Sequence, residues 1–118
     1  MESILTSIKK LLGIEKEYTH FDPDIIIQIN TALASLTQIG VGPSTGFSIQ
    51  DENAIWTDFV PIDPLLEPIK TYTYLKVKLV FDPPLSSSVI DAYNRIISEL
   101  EWRISVTVDP GKEGIQNG

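Results

Sequence analysis

One hundred and eighteen residues, 42% of them hydrophobic and none of them cysteine, make one ordinary domain and rule out disulfide scaffolds, cysteine-based zinc sites and thiol catalysis. Sixteen Asp and Glu against nine Lys and Arg give a net charge of −7, which disfavours the clustered cations that phosphate contacts require. The apolar share is too high for a disordered chain, yet no run approaches the roughly 20 residues needed to cross a bilayer. The opening Met1-Glu2-Ser3-Ile4 lacks a basic segment followed by an apolar one, so a soluble product that stays where it is made is expected.

The negative charge is localised. Residues 18–69 contain no Lys or Arg but hold seven acids: Asp22, Asp24, Asp51, Glu52, Asp58, Asp63 and Glu67. The remainder balances nine acids with nine bases, so the net charge resides in the middle of the chain. A solvated acidic surface that aids solubility is the plain reading.

In the first segment Ile4, Leu5, Ile8, Leu11 and Leu12 form one helical stripe, and Gly13 supplies the left-handed stop with Ile14 folding back. Residues 15–20 are a polar connector. The second segment has the strongest start signal: Asp22 as cap, Pro23 at the first helical position and Asp24 complementing the dipole. Ile25, Ile29, Leu33 and Leu36 share a face, Gly40 closes the helix, and Ile26, Ile27, Ala32, Ala34 and Ile39 widen the apolar surface. So wide a face fits a central helix or one shared with another subunit.

Residues 41–63 lose the period. Gly42, Pro43, Ser44, Thr45 and Gly46 form a loop, with a possible short β piece at residues 47–49. A loop this long in a small domain is often a binding element, although Trp56 and Phe59 can equally plug the side of a bundle. Residues 71–81 alternate as a strand would, but a strand of that length would span roughly 36 Å without a partner of matching length. Helical spacing through Leu65, Ile69, Tyr72, Leu75 and Leu79 is preferred, with Pro68 placing the start near Glu67 and Asp82-Pro83-Pro84 the end. The fourth helix opens with a Ser88/Asp91 capping box. It follows Ile90, Tyr93, Ile97, Leu100 and Ile104, with an Arg95–Glu99 pair on its surface. Residues 105–108 read as β-like, and residues 109–118 as a loose polar tail. The expected architecture is all-α: a small four-helix bundle at residues 1–108 with a long irregular middle loop and an extended C-terminal arm.

Chemistry finds little to work with. His20 is the only histidine, no phosphate-cradling Gly loop or P-loop Lys occurs, and Asp51-Glu52-Asn53 is out of register for a calcium loop. No catalytic, cofactor-binding or metal-ligating residues are assigned, and no enzyme activity is expected, paired carboxylates among the abundant acids being the one route left open. What remains is interaction. Four short helices cannot readily hide this apolar content, and each large side chain left in water forgoes ~1.5–3 kcal/mol of burial. The expected partner-facing residues are Phe47, Ile49, Trp56 and Phe59 of the loop and Ser105, Val106, Thr107 and Val108 of the arm, the last four able to add to a neighbour's strand edge or to stay disordered.

Three stretches carry a family resemblance: Ile8-Lys9-Lys10-Leu11-Leu12-Gly13-Ile14, the run from Phe21-Asp22-Pro23-Asp24 to Gly40-Val41-Gly42, and Tyr74 to Pro84 leading to Glu99-Leu100-Glu101-Trp102-Arg103. Together they resemble the small head–tail connector (adaptor) proteins of long-tailed bacteriophages and of prophages in Gram-positive bacteria. The resemblance implies a helical subunit that assembles as a homo-oligomeric ring below the portal protein and extends the DNA channel. It also implies a C-terminal arm docking on the portal or a neighbour, a downstream neck or tail-completion partner, and DNA passing without specific binding. Location would be the host cytoplasm during assembly and then the virion neck, with no membrane involved. An acidic wall formed by part of residues 18–69 would repel passing phosphates within roughly 8 Å at physiological salt. Another phage assembly module, such as a tail-completion protein, and a small helical regulator or enzyme are the alternatives.

Overall fold

The computed structural model describes residues 2–61 and 63–108, which form α1 (Ile4–Leu12), α2 (Asp22–Gln38), α3 (Trp56–Phe59), α4 (Asp63–Phe81) and α5 (Ser87–Val108). The all-α expectation holds, with a one-turn helix added in the middle loop. Among the described residues there is no strand, and an isolated antiparallel bridge joins Ser3 to Ile55. The tail expected at residues 109–118 lies outside the described residues.

α1 begins and ends as its sequence dictates. Ser3 Oγ accepts from the Thr6 amide, and Gly13 at φ +83° lets its own N–H reach Lys10 O while Ile14 N–H reaches Lys9 O. α2 differs at its start. Phe21 holds the cap position, Asp22 is already helical, and the Asp22 carboxylate turns to an ammonium rather than to its own helix. A buried cation outcompetes a backbone amide for that carboxylate.

The possible β piece at residues 47–49 is not a strand. The Asn30 side chain takes both backbone groups of Ile49, accepting from its N–H at 2.7 Å and donating to its C=O at 3.0 Å. One amide side chain on α2 thus does for the loop what a neighbouring strand would do. α4 starts at Asp63, earlier than Pro68 suggested, and carries that proline inside. Burial of Leu65, Ile69 and Tyr72 along one stripe outweighs the missing N–H. Residues 105–108 are helical and not β-like. Ser105 Oγ donates to Trp102 O and Thr107 Oγ1 to Arg103 O, so their hydroxyls are satisfied within α5, and Ile104 packs in the core. The helix opens at Ser87, ahead of the expected cap, so that Ser88 is already helical, and Glu99 pairs with Arg103 at 2.6 Å instead of with Arg95.

α4 is the central helix, in contact with α1, α2 and α5. Phe21 at the start of α2 meets Phe81 at the end of α4 edge to face at 5.2 Å, so these two helices are antiparallel. A short turn at residues 82–86 sends α5 back along α4, so α2 and α5 run parallel to each other. At one end they converge: Val108 Cγ2 lies 3.4 Å from where a Cβ on Gly40 would stand. At the other they leave much apolar surface bare, since α5 buries only Ile97, Ile104 and Ser105. The subunit is a slab of 51 × 35 × 20 Å, two helix layers thick.

Candidate interaction surfaces

The loop between α2 and α4 is held from below by α1. Trp56 Nε1 donates to Ser7 Oγ at 2.8 Å, Ser7 Oγ donates to Ile4 O, and Ile4 N–H donates to Ala54 O. Phe59 is buried and stacks at a tilt against half-buried Phe47, 5.2 Å between ring centres. Of the loop residues expected to face partners, Ile49, Trp56 and Phe59 are therefore occupied by the subunit's own core, and Phe47 keeps an accessible edge. In the C-terminal group Ser105 is buried, Val106 and Val108 are half-buried, and Thr107 is exposed.

The structure joins the two groups at one place. Phe59, Thr107 and Val108 line a cleft of about 470 Å³ together with Gly40, Gly42 and Pro61, at the end where α2 and α5 converge. Gly42 is required there: its φ is +77°, and a Cβ would stand 2.6 Å from Phe59 Cε1. The described chain ends at Val108 on the rim of this cleft. Trp56 and Ile49 do not reach it.

Charge is redistributed by folding. Lys9, only 2% exposed, donates to Lys16 O at 3.0 Å and Tyr18 O at 2.7 Å and sits 2.9 Å from Asp22 Oδ1, a buried oxygen with no other donor in reach. Lys70 pairs with Glu2 at 2.6 Å and Glu67 at 3.3 Å, which together hold its pKa above the ordinary lysine value, the Glu2 hydrogen bond contributing most. The cation-free stretch of sequence is thus partly neutralised in space by Lys9 and Lys70. Asp24, Asp51, Glu52 and Asp63 stay exposed, and Asp51 and Glu52 rim a groove of about 360 Å³ beside Leu5 and Ile26. Across α4 and α5, Tyr72 OH donates to Glu101 Oε2 at 2.8 Å; burial first, and the Glu101 carboxylate second, raise its pKa above the usual tyrosine value. Lys78 is likewise raised by its bond to Asp82.

His20 is exposed and meets Phe21 edge-on at 4.8 Å. Among the described residues no three His, Asp or Glu side chains are grouped to hold a metal, and no helix is long and apolar enough to cross a membrane. The large apolar side chains that face solvent are Leu11 on α1, which leaves the expected stripe, Tyr18 in the connector, Ile27 on α2, Val80 on α4, Leu85 in the turn, and Val89, Ile96 and Trp102 on α5. Their signal was present. Trp102 lies nearly opposite the Ile97/Ile104 stripe on a 100° wheel, and Ile27 lies opposite Ile25, Ile29 and Leu36.

Among protein families, one described as phage connector protein matches the chain over residues 4–111. Neither curated proteins nor solved structures give a match.

Proposed function

The chain belongs to the phage connector protein family, a structural family of virions, and from that premise we propose that it forms a homo-oligomeric ring below the portal and extends the DNA channel. The family match over nearly the whole chain is the observation that carries this reading. The shape supports it: a slab with a closed end bearing a cleft and an open end bearing bare apolar residues is built to have neighbours. The portal-facing element in this reading is the closed end, where Thr107 and Val108 line the cleft with Phe59, and where Phe47 offers its exposed edge. Ile49 and Trp56 serve that surface by fixing the loop. A downstream neck or tail-completion protein would take the opposite side, and the protein would be found in host cytoplasm and then in the virion neck.

DNA would pass without specific binding, because the exposed Asp51 and Glu52 repel phosphates at short range. Light scattering of the purified protein with and without portal tests the reading. A portal-dependent rise to the mass of a multi-copy ring is expected, and a monomer that ignores the portal in all conditions overturns it. A ring whose lumen is lined by Lys76, Lys78 and Arg95, with those acids outside, overturns the channel part alone.

A further inference from the structure

A closed ring of one chain needs two different faces on each copy, since the contact is head to tail and not self-complementary. The two helices flanking α4 present such a pair. On α2 the positions turned away from the core are Asp24, Ile27, Thr31 and Ala34, all exposed, and the helix from Asp22 to Gln38 contains no cation. On α5 the outward positions are Val89 and Ile96 on one stripe and Arg95 and Trp102 on the next. Ile27 is 59% and Trp102 55% exposed, values that mark whole side chains left without a partner. Neither Asp24 nor Arg95 makes an ion pair among the described residues, and neither do Lys10, Lys16 and Lys76, whereas Lys9, Lys78 and Arg103 each have one and Lys70 has two. The α2 face sets an unpaired anion, Asp24, beside Ile27, and the α5 face sets an unpaired cation, Arg95, beside Ile96 and Trp102, with unpaired Asp91 one turn before it.

Their heights also agree. α2 and α5 run parallel and touch at Gly40 and Val108. Thirteen residues back from that contact stand Ile27 on α2 and Arg95, next to Ile96, on α5. In a ring whose axis runs along these two helices, the rotation that relates neighbours keeps heights fixed. It therefore brings Ile96 of one copy level with Ile27 of the next and Arg95 within a turn of Asp24. We infer that the outward face of α5 (Val89, Arg95, Ile96, Trp102) seats on the outward face of α2 (Asp24, Ile27) of a second copy. The inference rests on the ring reading above and assigns its subunit contact.

The chain has no cysteine, which makes the test direct. An Ile27→Cys/Ile96→Cys double variant, assembled on portal and treated with a short bismaleimide, gives a ladder of covalent dimers, trimers and larger species on a denaturing gel. Either single variant gives monomer. Arg95→Glu lowers the ladder about fivefold, and adding Asp24→Arg to the same chain restores it. The mass of the portal complex, read on the same samples, separates the two levels of the argument. A ring of normal mass with no ladder from the double variant, or with Ile96→Cys alone cross-linking as dimers, overturns the assigned contact and leaves the ring. No ring mass on the portal overturns both. Both cysteines replace exposed side chains, and unchanged circular dichroism of the free variants shows that the subunit still folds.

Discussion

Replacing Lys9 by Met removes one charge from the interior while keeping most of the side chain's apolar length. The ammonium is 2% exposed and serves three oxygens: Lys16 O, Tyr18 O and Asp22 Oδ1. Breaking a buried pair from one side costs about 3–5 kcal/mol because the remaining charge has no partner. Asp22 is 21% exposed, so water recovers part of that loss and the lower end, roughly 3 kcal/mol, applies. With an unfolding entropy near 2.1 cal/mol/K per residue, a 118-residue chain should then lose about 12 °C of Tm. Urea titration and calorimetry read the loss, and hydrogen exchange should rise first at residues 15–20, the connector that Lys9 fastens. Lys10→Met, at an exposed position one residue on, is the control and should stay within ~0.5 kcal/mol. A Lys9→Met protein within a degree or two of wild type would show that the clamp is incidental.

Gly42→Ala combines a left-handed backbone at φ +77°, worth about 1–2 kcal/mol, with a Cβ driven into the buried Phe59 ring, so a loss of roughly 3 kcal/mol is expected. Gly46→Ala has a similar φ but open space around it and should lose only the backbone part; equal urea midpoints for the two variants would remove Phe59 from the account. Tyr72→Phe deletes the hydrogen bond to Glu101 and should cost ~1 kcal/mol at neutral pH, since Glu101 keeps contact with water. Because the folded state raises the Tyr72 pKa, its contribution is complete below the unfolded value near 10 and is lost as pH climbs beyond it. Wild-type stability should accordingly fall more steeply above pH 10 than that of Tyr72→Phe, and parallel pH profiles would contradict the assignment.

Helix positions were legible where a stripe and its punctuation agree, as at Gly13 and Gly40. They were misjudged where a tertiary contact outranks a local rule. Pro68 reads as a boundary, yet the burial of Leu65 and Ile69 carries α4 across it. Ser105 to Val108 read as β-like from branched side chains, yet contact with Gly40 and the core keeps them helical. The aromatic loop residues attracted attention by their size, which is also what makes them useful plugs: Trp56 and Phe59 fill the space beside α1 and α2. Lys9 and Asn30 gave no signal, because what they bind lies on segments brought near only by the fold. The bare residues Ile27 and Trp102 were legible by wheel position alone, as apolar side chains opposite their own helix's core stripe.

The degree of exposure decides how strongly two copies hold each other. Ile27, Val89, Ile96 and Trp102 are between 38% and 59% exposed, so covering them recovers around half of the ~1.5–3 kcal/mol that full burial gives each. Four such residues come to roughly 3–6 kcal/mol, which reaches only the low end of the ~4–15 kcal/mol cost of bringing two free molecules together. A pair of copies in dilute solution therefore stays apart. On a scaffold the arithmetic changes: neighbours fixed side by side meet at an effective concentration in the millimolar range, and each copy in a closed ring is covered on two sides. The same bare residues then suffice to select the neighbour and its height. In the proposed ring, then, a subunit held by its own core and the Lys9 clamp would assemble where a template has already met the entropic cost.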